Sequence, residues 1–289
     1  MLKRRVDDQI WLISQPDHAA LSGYLAAHWG NREFSAAGGY ADCPDPELLR
    51  SEVILAIAEH DNGWWEWEAD PPRDPNDGLP LDLLQLTQDE GLARWRLGVP
   101  RFAKEHPYVA LLISFHACWL QAYLIEEDPD TSFAHPLFGD PHSWPPASGK
   151  ELEQARQFVA EQKALQGELI ARLRKDPVWA SAAAPQNLNP HVRLLQIADA
   201  LSLSLCFGGA VEWTLAGVPR KSWDDRIVLK LHPAGSRIVC RPYPFDQDPL
   251  PVMLRARILR DPFERPVGFQ AWWQSLARQE IRFECCSGE

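Results

Sequence analysis

Apolar residues recur at helical spacing through most of the first two-thirds of the chain and at strand spacing through much of the last third. The stretch "QPDHAALSGYLAAHWG" puts Pro16 where a helix begins, apolar residues at 21, 24, 25 and 29, and Gly30 at the stop. "DPELLRSEVILAIAEHDNG" predicts a second helix with Asp45 as N-cap and Pro46 in its first turn. Its apolar face is Leu48, Leu49, Val53, Ile54, Ile57 and Ala58, and Asn62-Gly63 is a natural C-terminal break. More helices are expected over 88–105, over the apolar "HPYVALLISFHACWLQAYLIEE", over the amphipathic "KELEQARQFVAEQKALQGELIARLRKD" and over "NPHVRLLQIADALSLSLCFGG". The opening "DDQIWLISQ" reads as a short strand or an extended lead-in.

Two Pro-rich segments, "EADPPRDPNDGLPLD" and "DPDTSFAHPLFGDPHSWPPASG", read as loops. Long loops without structure of their own are often functional lids. From about residue 222 the pattern changes to short β-rich runs, "DRIVLKLHPAGSRIVCRPYPF" and "LPVMLRARILRDPF", separated by Pro- and Gly-containing turns. A short helix, "GFQAWWQSLARQ", and a strand, "EIRFECC", follow. These patterns predict a mainly α protein, helical over 1–210, with a smaller β-rich C-terminal subdomain over 211–289 packed on it.

The composition narrows the function. With 289 residues and 45% hydrophobic content, the chain can bury a large core. A net charge of −11 argues against broad binding to nucleic acid or to an anionic membrane, since both require a basic face. The acid is uneven: residues 61–90 hold nine Asp/Glu against one Arg, a run that reads as a solvated face. No apolar run approaches the length of a membrane span, and Asp7-Asp8 interrupts any signal-peptide pattern, so a cytoplasmic protein is expected. The six cysteines, at 43, 118, 206, 240, 285 and 286, show no CxxC spacing, which removes a zinc-knuckle reading and fits reduced thiols.

The chemistry lies in residues that can bind a metal from within apolar helices. Asp199 is flanked by Ile197, Ala198, Ala200 and Leu201, and a carboxylate buried there needs a partner or a metal. His116 sits in the middle of "LLISFHACWL", His18 in the first turn of the first helix, and the adjacent His60-Asp61 at the end of the second. His18, His60, Asp61 and Asp199 together mix imidazole and carboxylate, a set suited to Fe, Mn, Zn or Mg, and leave coordination positions for water and a substrate oxygen. Taken singly, His60-Asp61 also fits a helix cap and His116 a satisfied core histidine. The tryptophans at 64, 65 and 67 fit core contacts as well as a stacking platform for substrate.

This ordered set resembles the HD superfamily of metal-dependent phosphohydrolases. The segments "SQPDHAALSGYLAAHWG", "EHDNGWWEWE" and "DALSLSLCF" are also similar to a bacterial family of unknown function with that core and a β-rich tail. The resemblance implies an HD-domain-like helical bundle with His18, His60, Asp61 and Asp199 as ligands of a divalent ion. His116 falls where two-metal members place an additional His, of which two are usual and one is present.

The leading expectation is therefore a metal-dependent hydrolase, most readily of a phosphoester or nucleotide, acting on a small-molecule substrate. Asp61 would orient the attacking water and His116 would act as a base or phosphate contact. Trp64, Arg101 and Lys104 are the substrate-binding candidates, the last two because phosphate usually needs a basic group nearby. The alternatives are a non-haem iron oxygenase on an HD-type fold and a non-catalytic metal-binding protein. The β-rich tail carries no chemical motif; walling the pocket and forming a homodimer interface are the roles open to it.

Overall fold

The computed structural model describes residues 1–125, 147–206, 212–260, 263 and 268–288. In chain order the elements are β1 (Leu2–Val6), β2 (Gln9–Ile13), α1 (Gln15–Ala27), α2 (Pro46–Ala58), α3 (Trp65–Ala69), α4 (Gln88–Gly98), α5 (Pro107–Ile125), α6 (Gly149–Leu173), α7 (Pro185–Cys206), β3 (Trp213–Pro219), β4 (Arg226–Ala234), β5 (Arg237–Arg241), β6 (Leu250–Arg260), α8 (Phe269–Ser275) and β7 (Gln279–Cys286). The helix starts follow local chemistry. Ser14 caps α1 by accepting from the Asp17 amide, Asp45 caps α2 by accepting from the Leu48 amide, and Thr87 with Glu90 and Ser148 with Glu151 close capping boxes on α4 and α6.

The strands form one mixed sheet in the order β1-β2-β6-β7-β5-β4-β3, antiparallel except for the β5–β7 pair. This corrects the expected mainly α, HD-like bundle. The chain is about 49% helical and 21% strand and builds a curled seven-stranded sheet, so it is an α+β fold. The reason is long-range pairing. Strand β2 joins β6 in the register Gln9↔Arg260 to Leu12↔Arg257, and so takes both ends of the chain into one sheet. The sequence of β2, "QIWLI", does not alternate because both of its faces are covered. Trp11 and Ile13 enter the main core, while Ile10 and Leu12 join a small second cluster with Met1, Leu79, Leu259 and Trp273. Strand β6 does alternate: Leu250, Val252, Leu254 and Ala256 point inward while Pro251, Met253 and Arg255 are exposed.

Helices α1 and α7 pack against the sheet, at β6 and β3 respectively, and α2, α5 and α6 complete the helical layer behind them. One glycine sets how closely two of these helices approach. A Cβ on Gly23 of α1 would lie 2.5 Å from the Ala58 Cβ of α2, so only glycine permits this crossing. That contact brings the first turn of α1 next to the C-terminal end of α2. The expected loop over 68–82 is tied to the sheet by the Lys3 ammonium, 2.7 Å from Asp74 and 3.0 Å from Asp77. The second Pro-rich loop, expected as a lid over 128–149, lies outside the described residues apart from its last three. No helix among the described residues is long and apolar enough to cross a membrane.

Candidate metal centre

Four helices deliver side chains to one buried point. His18 comes from the first turn of α1, His60 and Asp61 from the turn that ends α2, His116 from the middle of α5 and Asp199 from α7; all are at most 4% exposed. The Nε2 atoms of His18 and His60 are 3.2 Å apart. The Asp199 Oδ1 lies 3.1 Å from His18 Nε2 and 3.5 Å from His60 Nε2. Asp61 Oδ2 lies 3.4 Å and 3.5 Å from the same two atoms. His116 stands slightly apart, its Nε2 3.7 Å from Asp199 Oδ2 and its ring edge-on to His60 at 5.0 Å. Trp95 and Trp119 flank the His116 ring, each at 5.6 Å.

The hydrogen bonds behind this cluster fix which nitrogen faces it. His60 Nδ1 lies 2.8 Å from the Ile57 carbonyl, which can only accept, so Nδ1 carries a proton. Ser202 Oγ donates to the Asp199 carbonyl at 2.9 Å and therefore accepts from His18 Nδ1 at 2.5 Å. Both imidazoles thus hold Nδ1–H outward and turn Nε2 inward. Two Nε2 lone pairs at 3.2 Å, with two carboxylates beside them, demand positive charge between them. A proton or a bound cation can supply it. Burial lowers the His18 and His60 pKa values, but the adjacent carboxylates outweigh it and raise both, His18 well above the ordinary value. Burial likewise pushes Asp61 up, and His60 with His18 outweighs it and lowers the carboxyl.

The donor set fits a metal. His18, His60 and Asp199 form a group whose ligand atoms all lie within 4.8 Å of one another, and they can hold one ion. Two imidazoles backed by Nδ1–H donation to oxygen and one buried carboxylate are typical ligation chemistry. Asp61 flanks this trio and is itself held by Gln15, whose Nε2 donates to Asp61 Oδ2 at 3.0 Å.

The cluster forms the floor of a cavity of about 440 Å³. Its walls are mainly apolar, including Trp64, Leu84, Leu92, Trp95, Leu120 and Leu203. Gln15, Thr87, Gln88, Gln121 and Glu151 supply its other polar groups, and no Lys or Arg lines it among the described residues. Trp64 lines the cavity, edge-on to Trp67 at 5.7 Å. The two basic candidates do not reach the cavity. Arg101 donates to the Asn62 carbonyl and to Glu66 and stacks on Trp65, while the Lys104 side chain is 92% exposed and pairs with Glu105. Both sit close in sequence to the helix that carries His116, but neither lies on it.

Two residues of the site escaped sequence reasoning, Gln15 and Ser202. A signal existed for each. Gln15 is three residues before His18 and Ser202 three after Asp199, so each shares a helix face with a candidate ligand.

A buried two-His, two-Asp cluster at the floor of an apolar cavity, carried by helices over a mixed sheet, defines a protein with a candidate metal site. Residues 1–261 match the family described as "Protein of unknown function (DUF3891)", and the chain belongs to that family. No curated protein and no solved structure matches it.

Proposed function

We propose that the protein is a metal-dependent hydrolase acting on an ester-type bond, with a phosphoester the first candidate, in a small and largely apolar molecule. The observation that carries this reading is the pair of inward-facing Nε2 atoms, 3.2 Å apart and bracketed by Asp61 and Asp199, at the floor of a cavity large enough for a small molecule. The order of these residues along the chain, His18, His60-Asp61 and Asp199, resembles that of the HD superfamily and supports hydrolysis rather than storage. A bound divalent ion would bring a coordinated water toward neutral pKa and polarise the substrate oxygen.

The chain's own residues supply the rest. His18, His60 and Asp199 would hold the ion, and Ser202 and the Ile57 carbonyl keep the two imidazoles in the tautomer that ligation needs. Asp61, steadied by the Gln15 amide, would orient the attacking water, and His116, 3.7 Å from Asp199, would exchange a proton beside it. The apolar walls exclude water and hold the substrate body. With no Lys or Arg on the described walls, and none in the sequence 126–146, a highly charged nucleotide is a poor fit. A phosphodiester or monoanionic ester with apolar groups suits the cavity better.

The test uses protein purified without a metal-binding tag. Wild type is expected to hold a divalent metal stoichiometrically and to hydrolyse aryl phosphodiesters or esters. His60→Ala and Asp199→Ala are expected to lose both properties while remaining folded. Turnover that persists in Asp199→Ala, or metal-loaded wild type that turns over none of these substrates, refutes the assignment. A second reading is favoured by the two-His, one-carboxylate trio at the base of a cavity free of described cations: a non-haem iron oxygenase. Substrate-dependent oxygen uptake with Fe(II), and no ester hydrolysis, would select it.

A further inference from the structure

A second cleft lies on the far side of the wall that encloses the metal cavity. It holds about 280 Å³ and is lined by Ser14, Pro16, Trp65, Glu68, Ala69, Arg257, Trp273, Gln274 and Arg278, none of which lines the first cavity. Chain geometry explains the separation. Gln15 and Trp64 face the metal, whereas their neighbours Ser14, Pro16 and Trp65 face the second cleft, so the start of α1 and the start of α3 form a shared partition.

The charges in this cleft are unbalanced. Arg257 is half-buried on β6, its Nε donates to the Leu276 carbonyl at 3.1 Å, and its guanidinium lies 4.0 Å from the centre of the Trp273 ring. It makes no ion pair with a carboxylate among the described residues. Arg278 uses Nε to meet Asp17 at 3.1 Å, and that same Asp17 oxygen already accepts from Ser14 Oγ at 2.6 Å. The other carboxylate, Glu68, is engaged by the Met1 amine and the Gln15 amide. Two guanidinium groups therefore share one available carboxylate and leave a surplus positive charge. Trp65 adds a second, independent oddity, because 40% of this large ring is exposed beside the cleft while Arg101 occupies one of its faces at 4.6 Å.

We infer that this cleft binds a small oxyanion, a carboxylate or phosphate carried on a flat apolar body. The terminal nitrogens of Arg257 and Arg278 would grip the head in the forked geometry that guanidinium groups offer to both kinds of oxyanion. Trp65 would wall the flat body, with Trp273 buried beneath the Arg257 guanidinium. The site is separate from the metal centre, yet adjoins it through Gln15: the Gln15 amide reports to Glu68 on one side and its side chain to Asp61 on the other.

Benzoate and phenyl phosphate, which share one ring and differ in the head, are titrated into the full-length protein by calorimetry and tryptophan fluorescence. Saturable binding of at least one is expected, and the tighter of the two identifies the head. Arg278→Gln, at an exposed position, and Trp65→Ala should each weaken it tenfold or more. Arg257→Gln should do the same, with Arg257→Lys as the variant that keeps the stacked stem if the glutamine form does not fold. Chelated protein and Asp199→Ala should bind as wild type does, which keeps this site distinguishable from the proposed hydrolytic one. Failure of both anions to bind overturns the inference. So does binding unchanged by Arg278→Gln and Arg257→Lys, or binding lost in folded Asp199→Ala.

Discussion

Asp199 is costly to bury, and three imidazoles gather around it: His18 at 3.1 Å, His60 at 3.5 Å and His116 at 3.7 Å. What fits the arrangement to a metal ion is the layer behind it, above all Ser202. Its hydroxyl spends its proton on the Asp199 carbonyl and so leaves His18 Nδ1 nothing to do but donate. Ser202→Ala removes that acceptor and frees the His18 ring to adopt the other tautomer. Metal affinity is expected to fall about 10- to 100-fold, with helical content unchanged. Competition titration with a chromophoric chelator measures it, and affinity within twofold of wild type would show that Ser202 does not set the tautomer. Asp199 and His116 were legible in the sequence because an Asp or His inside an apolar helix conflicts with its surroundings, whereas His18, His60 and Asp61 were legible only through their order along the chain. Gln15 and Ser202 were not, because a lone Gln or Ser at a helix start or in a helix is unremarkable until its neighbour's role is known. Arg101 and Lys104 do not line the described cavity, since nearness along a chain does not fix where a side chain makes its contacts.

Among the elements, the helices were readable from caps and apolar spacing, but the reason for the Asn62-Gly63 break was not. In the sequence it is only a natural C-terminal break of the second helix. The turn is in fact a tight 3₁₀ segment, and Gly63 is needed for contact with α4, where a Cβ would lie 2.0 Å from the Arg94 carbonyl oxygen. Backbone meets backbone there, so no rotamer change can relieve the clash. Gly63→Ala is expected to destabilise the protein by about 3 kcal/mol and to push α4, with Leu92 and Trp95, away from the cavity. Gly91, on the same helix, has nothing within 4 Å of its missing Cβ. Gly91→Ala should be neutral or gain up to about 1 kcal/mol through helix propensity alone. Urea unfolding of the two variants, one at the packing contact and one away from it on α4, should therefore differ, with only Gly63→Ala losing stability. A destabilisation of equal size in both would place the effect in α4 itself rather than at its contact with Gly63.

At the scale of the whole molecule, the sheet is where local reading fails, because pairing β2 with β6 joins residues some 250 positions apart and no nearby pattern encodes the partner. The same long-range assembly buries His191 of α7 completely, with Nδ1 2.7 Å from the Tyr108 hydroxyl of α5 and the Tyr40 ring 5.5 Å away. Burial alone drives its pKa from 6.5 down to about 3, so the folded protein keeps this ring neutral. The unfolded chain takes up a proton there below pH 6.5 while the folded chain does not, so stability from this group is complete above 6.5 and is lost as pH falls toward 3. His18 and His60 act in the other direction in metal-free protein, since their raised values favour the fold at low pH and release that stability as pH climbs through them. The raw pH curve therefore mixes opposing slopes, and only a difference between proteins isolates His191. His191→Gln keeps a hydrogen-bonding group near Tyr108 and removes the titration. In chelated protein, wild-type stability relative to this variant should fall by up to about 1.4 kcal/mol for each pH unit below 6.5 and level off near 3. Denaturant midpoints collected from pH 7 to pH 4 decide it: parallel curves for the two proteins would mean that His191 charges within the fold, and that the packing of α5, α7 and the Tyr40 segment opens to water before the molecule unfolds.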